Sequence, residues 1–478
     1  VCTPVYENRL LLPFLTDEDL DRIEATAYRL LAEVGIELQH ARAQEMLDGL
    51  GCRVSGGRVL IPGDVVRWAL DNVTPGVEFP RPNGRPGFTL GDGRVRFHNG
   101  GGQPFILDLH TGQRRLATLQ DVADSTRLLD ALPNVDQITP LVGPQDVPPD
   151  MIFVEATAAM LRNTDKPVSA SAVDRPDDVP YLVEMAAARC GGREALRARP
   201  SMQISVSPVS PLRFTADVAG AILAVAESGL PFHSLPAPSL GATGPVTLAG
   251  CLAQQHAEVL ASLVLAAAAR PGVPVVYCSR IGPIDPRTAT SAWGGPEVGM
   301  SGACAAQLAH RLGLPCDSYG LATSSPTVDA QHAYERLANA LVPALAGVDL
   351  LSGMGMAGNL AGGYEIAVID DELVSLIKHI VAGVEVNDTT LAYDVMREVI
   401  PAGGAFVGAL HTARQMRKGA LWIPAISARG ADAPAVMERA RARAREILGR
   451  PHTKALPEDV DRHLDEILKR ARRELMGS

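Results

Sequence analysis

Pro231-Phe-His-Ser-Leu-Pro-Ala-Pro-Ser-Leu-Gly-Ala-Thr-Gly-Pro-Val-Thr-Leu-Ala-Gly250 holds a strand, a loop and a helix start in one run. Phe232 to Leu235 is short and apolar, which signals a strand. The Pro/Gly/Ser-rich stretch after it reads as a loop. Pro245 and Thr247 then open an Ala/Leu-rich helix that runs to Ala269. Together these make one βα unit. Similar units recur about every 35 to 40 residues through the middle of the chain, the rhythm of a (β/α)8 barrel.

Working outward, strands are expected at 137–142, 167–172, 202–207, 232–236, 273–279, 316–321 and 350–353. Their apolar runs do not alternate, as suits strands covered on both faces. The eighth is expected in the β-like segment 94–109 or within 384–410. Upstream, Leu20, Ile23, Ala27, Leu30, Leu31 and Val34 fall at helical spacing behind a Thr16/Asp19 cap, and Gly35 ends the helix. Shorter helices are expected near 40–50 and 63–72, with a hairpin at 52–60 turning on Ser55-Gly-Gly57. Segment 86–117 looks β-rich. Two solvated amphipathic helices are expected at 433–448 and 457–475. The fold class is thus α/β, a TIM barrel over 118–430. A helical and β-hairpin extension (1–117) precedes it, and helices packing on the barrel (431–478) follow.

The chain has 478 residues, enough for a barrel of roughly 250 residues and substantial additions. Aromatics make up only 4%, so Leu, Ala and Val must fill the core. The formal charge is −10, and no basic run is interleaved with aromatics, so a nucleic-acid partner is not expected. The seven cysteines are scattered, with no Cys-x-x-Cys or His-x-x-x-His spacing. No intrinsic metal is expected, and scattered thiols fit a reducing cytoplasm. No basic-then-apolar leader is evident. Residues 251–269 carry Gln254, Gln255, His256 and Glu258, which suits a packed helix and not a membrane span.

In a barrel the chemistry lies just after the C-terminal ends of the strands. That selects Ser169, Ser171, Ser205, Ser207, His233, Ser234, Tyr277, Ser279, Arg280, Asp317, Ser318, Tyr319 and Gly353-Met-Gly-Met356. Alternate strand residues face opposite sides, so about half of these can reach the mouth. Such a pocket offers hydroxyls and soft surfaces. A Gly-x-Ser-x-Gly elbow and a phosphate loop are both missing from the sequence. Asp329, Gln331 and His332 open a helix after a Thr/Ser loop, and Asp329 serves equally well as a helix cap. His98-Asn-Gly-Gly-Gly-Gln103 lets backbone approach a ligand closely, or makes a flexible turn. Tyr277, Tyr319 and Trp293 have faces that hold a quaternary ammonium by cation–π attraction, unless they are core rings.

Several motifs carry a family resemblance: Glu33-Val-Gly-Ile36, Val59-Leu-Ile-Pro62, Asp108-Leu-His-Thr-Gly-Gln-Arg-Arg115 and Asn163-Thr-Asp-Lys-Pro167. Gly241-Ala-Thr-Gly-Pro-Val-Thr-Leu-Ala-Gly250, Asp329-Ala-Gln331 with Glu335, Ile369-Asp-Asp-Glu372 and His411-Thr412 complete the set. Together they resemble the trimethylamine methyltransferase (MttB-like) family of corrinoid-dependent methyltransferases over nearly the whole chain. The resemblance implies a TIM barrel that moves a methyl group from a methylamine to a corrinoid (cobalamin) carried by a separate corrinoid-binding protein. Trimethylamine-specific members carry pyrrolysine; the segment Gly355 to Gly363 has none, which points to relatives acting on glycine betaine and other quaternary amines.

The roles of individual residues rest mainly on strand-end geometry. The ammonium is expected against Tyr277, Trp293, Tyr319 and Met354, and a substrate carboxylate at Arg280. Asp329, Gln331 and His332 are expected as catalytic polar contacts, and His98, Gly101 and Gln103 near the corrinoid. A homo-oligomer is expected. The rival readings are a metal-free barrel lyase or hydrolase and a non-catalytic methylamine-binding member.

Overall fold

The computed structural model describes residues 11–81, 85–358, 360–428, 430, 434–452 and 456–477. At its centre is a parallel sheet in the order Val168–Ala170, Met202–Val206, Phe232–Ser234, Val273–Ser279, Cys316–Tyr319, Leu350–Met354, Arg96–Asn99. Residues 137–142 close the ring: His98 bridges Gln137, Gln103 bridges Val142 and Ile138 bridges Val168, all parallel. The result is a closed (β/α)8 barrel.

Residues 137–142 pair through single bridges for a local reason. The Asn99 side chain accepts from the Thr139 N–H at 3.0 Å and donates to the Thr139 carbonyl at 2.7 Å, replacing ladder bonds. Pro140 has no N–H to give. The eighth strand is therefore Arg96–Asn99, from the 94–109 alternative. The barrel begins before residue 118, because the Leu350–Met354 strand finds its outer neighbour there. Segment 384–410 is helical instead.

The barrel's lower end is plugged. Val77–Phe79 pairs antiparallel with Phe88–Leu90, and these residues pack with Leu235, Val276, Cys278 and Leu350. Gly91 N–H donates to Asp349, just before the Leu350–Met354 strand, which fixes this hairpin at the strands' N-terminal end. The open end is the C-terminal mouth.

The extensions follow local signals. Thr16 and Asp19 form a capping box on Asp17–Arg29. Gly35 sits at φ 72°, where an added Cβ would lie 2.3 Å from the Val59 carbonyl oxygen. Arg53–Ser55 and Arg58–Leu60 form the expected hairpin. Val436–Leu448 buries Ala440, Ala444 and Ile447, and Glu458–Met476 buries Leu464, Ile467 and Ala471, each a narrow apolar stripe. Leu248–Ala269 is long and apolar enough to cross a membrane, but 94% of its apolar window is buried in the fold, the position of a core helix.

Candidate active site

Alternation in the Val273–Ser279 strand decides which side chains enter the barrel. Val276 and Cys278 belong to the inner plug cluster, and Arg280 continues that face into the mouth. Tyr277 and Ser279 point the other way, to the helix Leu248–Ala269. The Tyr277 hydroxyl accepts from Gln255 Nε2 at 3.2 Å and lies 3.1 Å from His256 Nδ1. Ser279 Oγ donates to Gln255 Oε1 at 2.9 Å.

Asp317 is the hub of the inner face. Arg280 Nη2 donates to its Oδ2 at 2.9 Å, and His98 Nε2 lies 3.4 Å from Oδ1. His233 Nδ1 and Cys278 Sγ lie 3.5 and 3.7 Å from Oδ2. Burial opposes ionisation of Asp317. The Arg280 guanidinium, with His98 and His233, outweighs it and holds the carboxyl well below the usual carboxylate range. Burial pushes the Cys278 thiol well up and the His233 imidazole down, so both are neutral near pH 7.

His233, Cys278 and Asp317 offer three possible metal-ligand atoms within 4.8 Å of one another. The sequence shows no such cluster, because barrel register and not spacing along the chain assembles it. Two features oppose a metal there. Arg280 already occupies the shared Oδ2, and a protonated thiol is not a ligand until it loses its proton.

Above this hub opens a pocket of about 270 Å³ whose lining includes His98, Asn99, Arg280, Trp293, Tyr319 and Met356. Trp293 meets Tyr319 edge to face at 5.1 Å. The Trp293 ring rests on Gly282, where a Cβ would come within 2.5 Å of it. Tyr319 Oη lies 3.3 Å from Met356 Sδ. These three side chains make one soft, electron-rich wall. His98 Nδ1, Gln103 Oε1 and Thr139 Oγ1 are buried pocket-residue atoms without a protein partner.

A buried ion pair fixes the wall. Arg336 Nε donates to Asp370 at 2.9 Å, while Nη1 and Nη2 donate to the carbonyls of Met356 and Gly353 at 2.8 and 3.1 Å. Gly353 takes φ 117°, and pairing with Arg96–Asn99 slips by a bulge between Leu351 and Met354. The bulge turns Met354 into the outer core, and the strand ends there; Gly355, at φ 79°, then redirects the chain so that Met356 enters the pocket.

Of the expected site residues, the structure gathers His98, Gly101, Gln103, Arg280, Trp293 and Tyr319 around this pocket. Tyr277 is displaced to the helical layer by strand alternation, and Met354 to the core by the bulge. Asp329 caps Ala330–Leu345, accepting from His332 N–H at 3.0 Å. Gln331 donates to Glu335 at 2.8 Å. Glu335 in turn accepts from Thr323 Oγ1 and Ser324 N–H at 2.7 and 2.8 Å, bracing the loop. His332 is buried beside Arg336, which together with burial pushes it down to about 3. This trio lies off the pocket lining because the turn that reaches the pocket is the next one, at Arg336. Of the three glycines, Gly100 serves packing: a Cβ there would lie 1.7 Å from Met356 Sδ. Thr139 and Arg336 lacked a sequence signal, whereas Asn99 and Met356 lay inside stretches the sequence singled out. Asp317 had a signal, its place at a strand end.

A closed parallel barrel with a charged, aromatic-walled pocket at its C-terminal mouth defines the barrel enzymes as a class. A family model for trimethylamine methyltransferase (MTTB) matches residues 4–476. The chain belongs to this family and is a methyltransferase. It is 31% identical over 481 residues to a glycine betaine methyltransferase of Desulfitobacterium hafniense, covering 97% of this chain and 99% of that one. A trimethylamine methyltransferase MttB of the same species is 33% identical over 84% of this chain and 81% of its own. The monomethylamine methyltransferase of Methanosarcina barkeri, a solved structure, aligns over 98% of this chain and 96% of its own, at 12% identity and a TM-score of 0.49.

Proposed function

We propose that this methyltransferase takes a methyl group from a small quaternary amine bearing a carboxylate. The acceptor in this reading is the cobalt(I) of a corrinoid on a partner protein. The observation that carries it is the pairing, in one pocket, of the Trp293–Tyr319–Met356 wall with the Arg280 guanidinium. Ring faces and a thioether hold a methylated ammonium, and a guanidinium holds a carboxylate.

The leaving group explains why such a pocket is sufficient. A quaternary ammonium departs as a neutral amine and needs no proton, whereas a tertiary amine would depart as an amide anion. Cobalt(I) supplies the nucleophile when the corrinoid is bound. The chain's own residues then bind, orient and exclude water. The acceptor reaches the methyl from the mouth. Exposed apolar side chains at Val209, Val246, Tyr334 and Leu360, all on segments following barrel strands, offer its carrier a contact surface.

In this reading no resident metal takes part, and the protein works in a reducing cytoplasm, consistent with the free cysteines among the described residues. The test is spectroscopic. Purified protein with cobalt(I) cobalamin should form methyl-cobalamin from at least one betaine and not from trimethylamine. Equal reaction of trimethylamine would overturn the leaving-group argument. Loss of all methyl transfer with a competent corrinoid protein would favour a binding member instead.

A further inference from the structure

The segment from Val384 to Ile423 is built unlike the rest of the chain. Its helices Asp388–Leu391, Tyr393–Val399 and Leu410–Arg417 contain no buried residue. It nevertheless holds nearly half of the large exposed apolar side chains among the described residues. Leu391, Tyr393, Ile400, Val407, Leu410 and Ile423 are each more than half exposed. Short helices that bury nothing are not stable in water by themselves, and an apolar surface this concentrated marks an interaction site.

We infer that this segment is an interface between two copies of this chain, paired about a twofold axis. Charge identifies the occupant. The first arm carries Glu385, Asp388, Asp394 and Glu398 against the single base Arg397. The second carries Arg414, Arg417 and Lys418 with no acid from 410 to 418. The segment is therefore neutral overall on a chain of net charge −10, and its two ends are opposite in sign. In an isologous interface residue i meets j and j meets i, so a twofold axis sets each acidic arm on the other copy's basic arm. Between the arms lies an open groove of about 960 Å³, lined in part by Val395, Val399, Leu410 and Arg414. It is a receptacle for the apolar side chains that the other copy presents. A partner of one dominant charge would satisfy one arm and repel the other.

Light scattering and sedimentation of the full chain test this. The wild type should be a dimer, or a higher even oligomer, at micromolar concentration. Val407→Asp with Leu410→Asp should weaken association by about thirtyfold or more, the scale of an interface hot spot. Reversing the acidic arm (Asp388→Lys with Asp394→Lys) or the basic arm (Arg417→Glu with Lys418→Glu) should give monomers, since both arms then repel. Mixing those two monomers should restore a dimer, because every arm again meets its opposite. All these positions are exposed, so the fold's circular dichroism and melting should be kept. A monomeric wild type overturns the proposal. So does an oligomer indifferent to Val407→Asp with Leu410→Asp, or a mixture of reversed chains that stays monomeric. A monomeric chain that captures a corrinoid-carrying protein through this segment also overturns it.

Discussion

Arg280, just past the end of its strand, donates to Asp317 on the neighbouring strand at 2.9 Å; Asp317 is almost wholly buried and Arg280 is mostly so. This pair joins the sealed interior to the pocket: Asp317 faces His98, His233 and Cys278 below, and Arg280 lines the cavity above. The carboxylate fixes the guanidinium, so Arg280 presents a fixed charge to the mouth.

Breaking this pair should cost stability as well as binding. Arg280→Gln leaves a buried carboxylate without its main partner, a loss on the order of 3–5 kcal/mol. The pH dependence follows from the lowered pKa of Asp317. A group whose folded pKa is depressed contributes stability above its unfolded pKa of about 4, and loses it as pH falls through the folded value. The stability gap between wild type and Asp317→Asn should therefore be full at neutral pH and shrink only in strong acid. In the Arg280→Gln background burial acts on the carboxyl without its main counterweight, so that gap should already be smaller at neutral pH. Denaturant unfolding from pH 7 to pH 3 measures both, and an unchanged gap profile contradicts the pairing.

The two tyrosines should separate cleanly. Tyr319→Ala should weaken substrate binding by up to roughly thirtyfold, since a cation–π contact is worth ~0.5–2 kcal/mol. Tyr319→Phe should retain most of the affinity. Tyr277→Phe should leave binding unchanged and destabilise the fold by about 1–3 kcal/mol, because Gln255 and His256 lose a buried partner. Calorimetric titration with a betaine and thermal melts read the two effects apart. A binding defect at Tyr277 without a stability defect would reverse the assignment.

Gly100→Ala tests the wall. Its Cβ would fall 1.7 Å from Met356 Sδ, so Met356 must leave its seat beside Tyr319. KM for the amine should rise severalfold with little change in melting. Gly102 has open space and φ 74°, so Gly102→Asn should be nearly silent. Equal effects at both positions would mean that the loop's mobility matters and the Met356 seat does not.

Chelation tests the His233, Cys278 and Asp317 cluster. Dialysis against a strong chelator should leave methyl transfer and melting unchanged, and elemental analysis should find no stoichiometric zinc. Cobalt(II) soaking should give no thiolate charge-transfer band, since Arg280 already holds the Asp317 oxygen that a metal would share. One equivalent of zinc, lost together with activity, would falsify the metal-free reading.

Much of this protein is settled by local sequence. The strand runs, the Thr16/Asp19 cap, the Ser55-Gly-Gly57 turn and the terminal amphipathic helices depend on neighbours a few residues apart, and each formed close to where the sequence placed it. The rhythm of βα units was enough to define a barrel, because parallel strands buried on both faces leave continuous apolar runs. Strand ends were equally legible, which is how Arg280 and Tyr319 could be named. Alternation was legible too: Tyr277 and Arg280, three apart along a strand and the residue that follows it, do not share a face.

Only the tertiary structure decided what register and bulges control. His233, Cys278 and Asp317 come from three strands adjacent in the barrel, and their contact exists only once the strands are aligned. The bulge at Gly353 sent Met354 to the core, and the turn at Gly355 brought Met356 into the pocket, choices made by pairing with Arg96–Asn99 and by the Arg336–Asp370 anchor. Closure through Asn99 and Thr139 likewise depends on a side chain replacing a backbone ladder. Sequence spacing carries periodicity within an element. Which faces of separate elements meet depends on their relative alignment, and no local pattern encodes that.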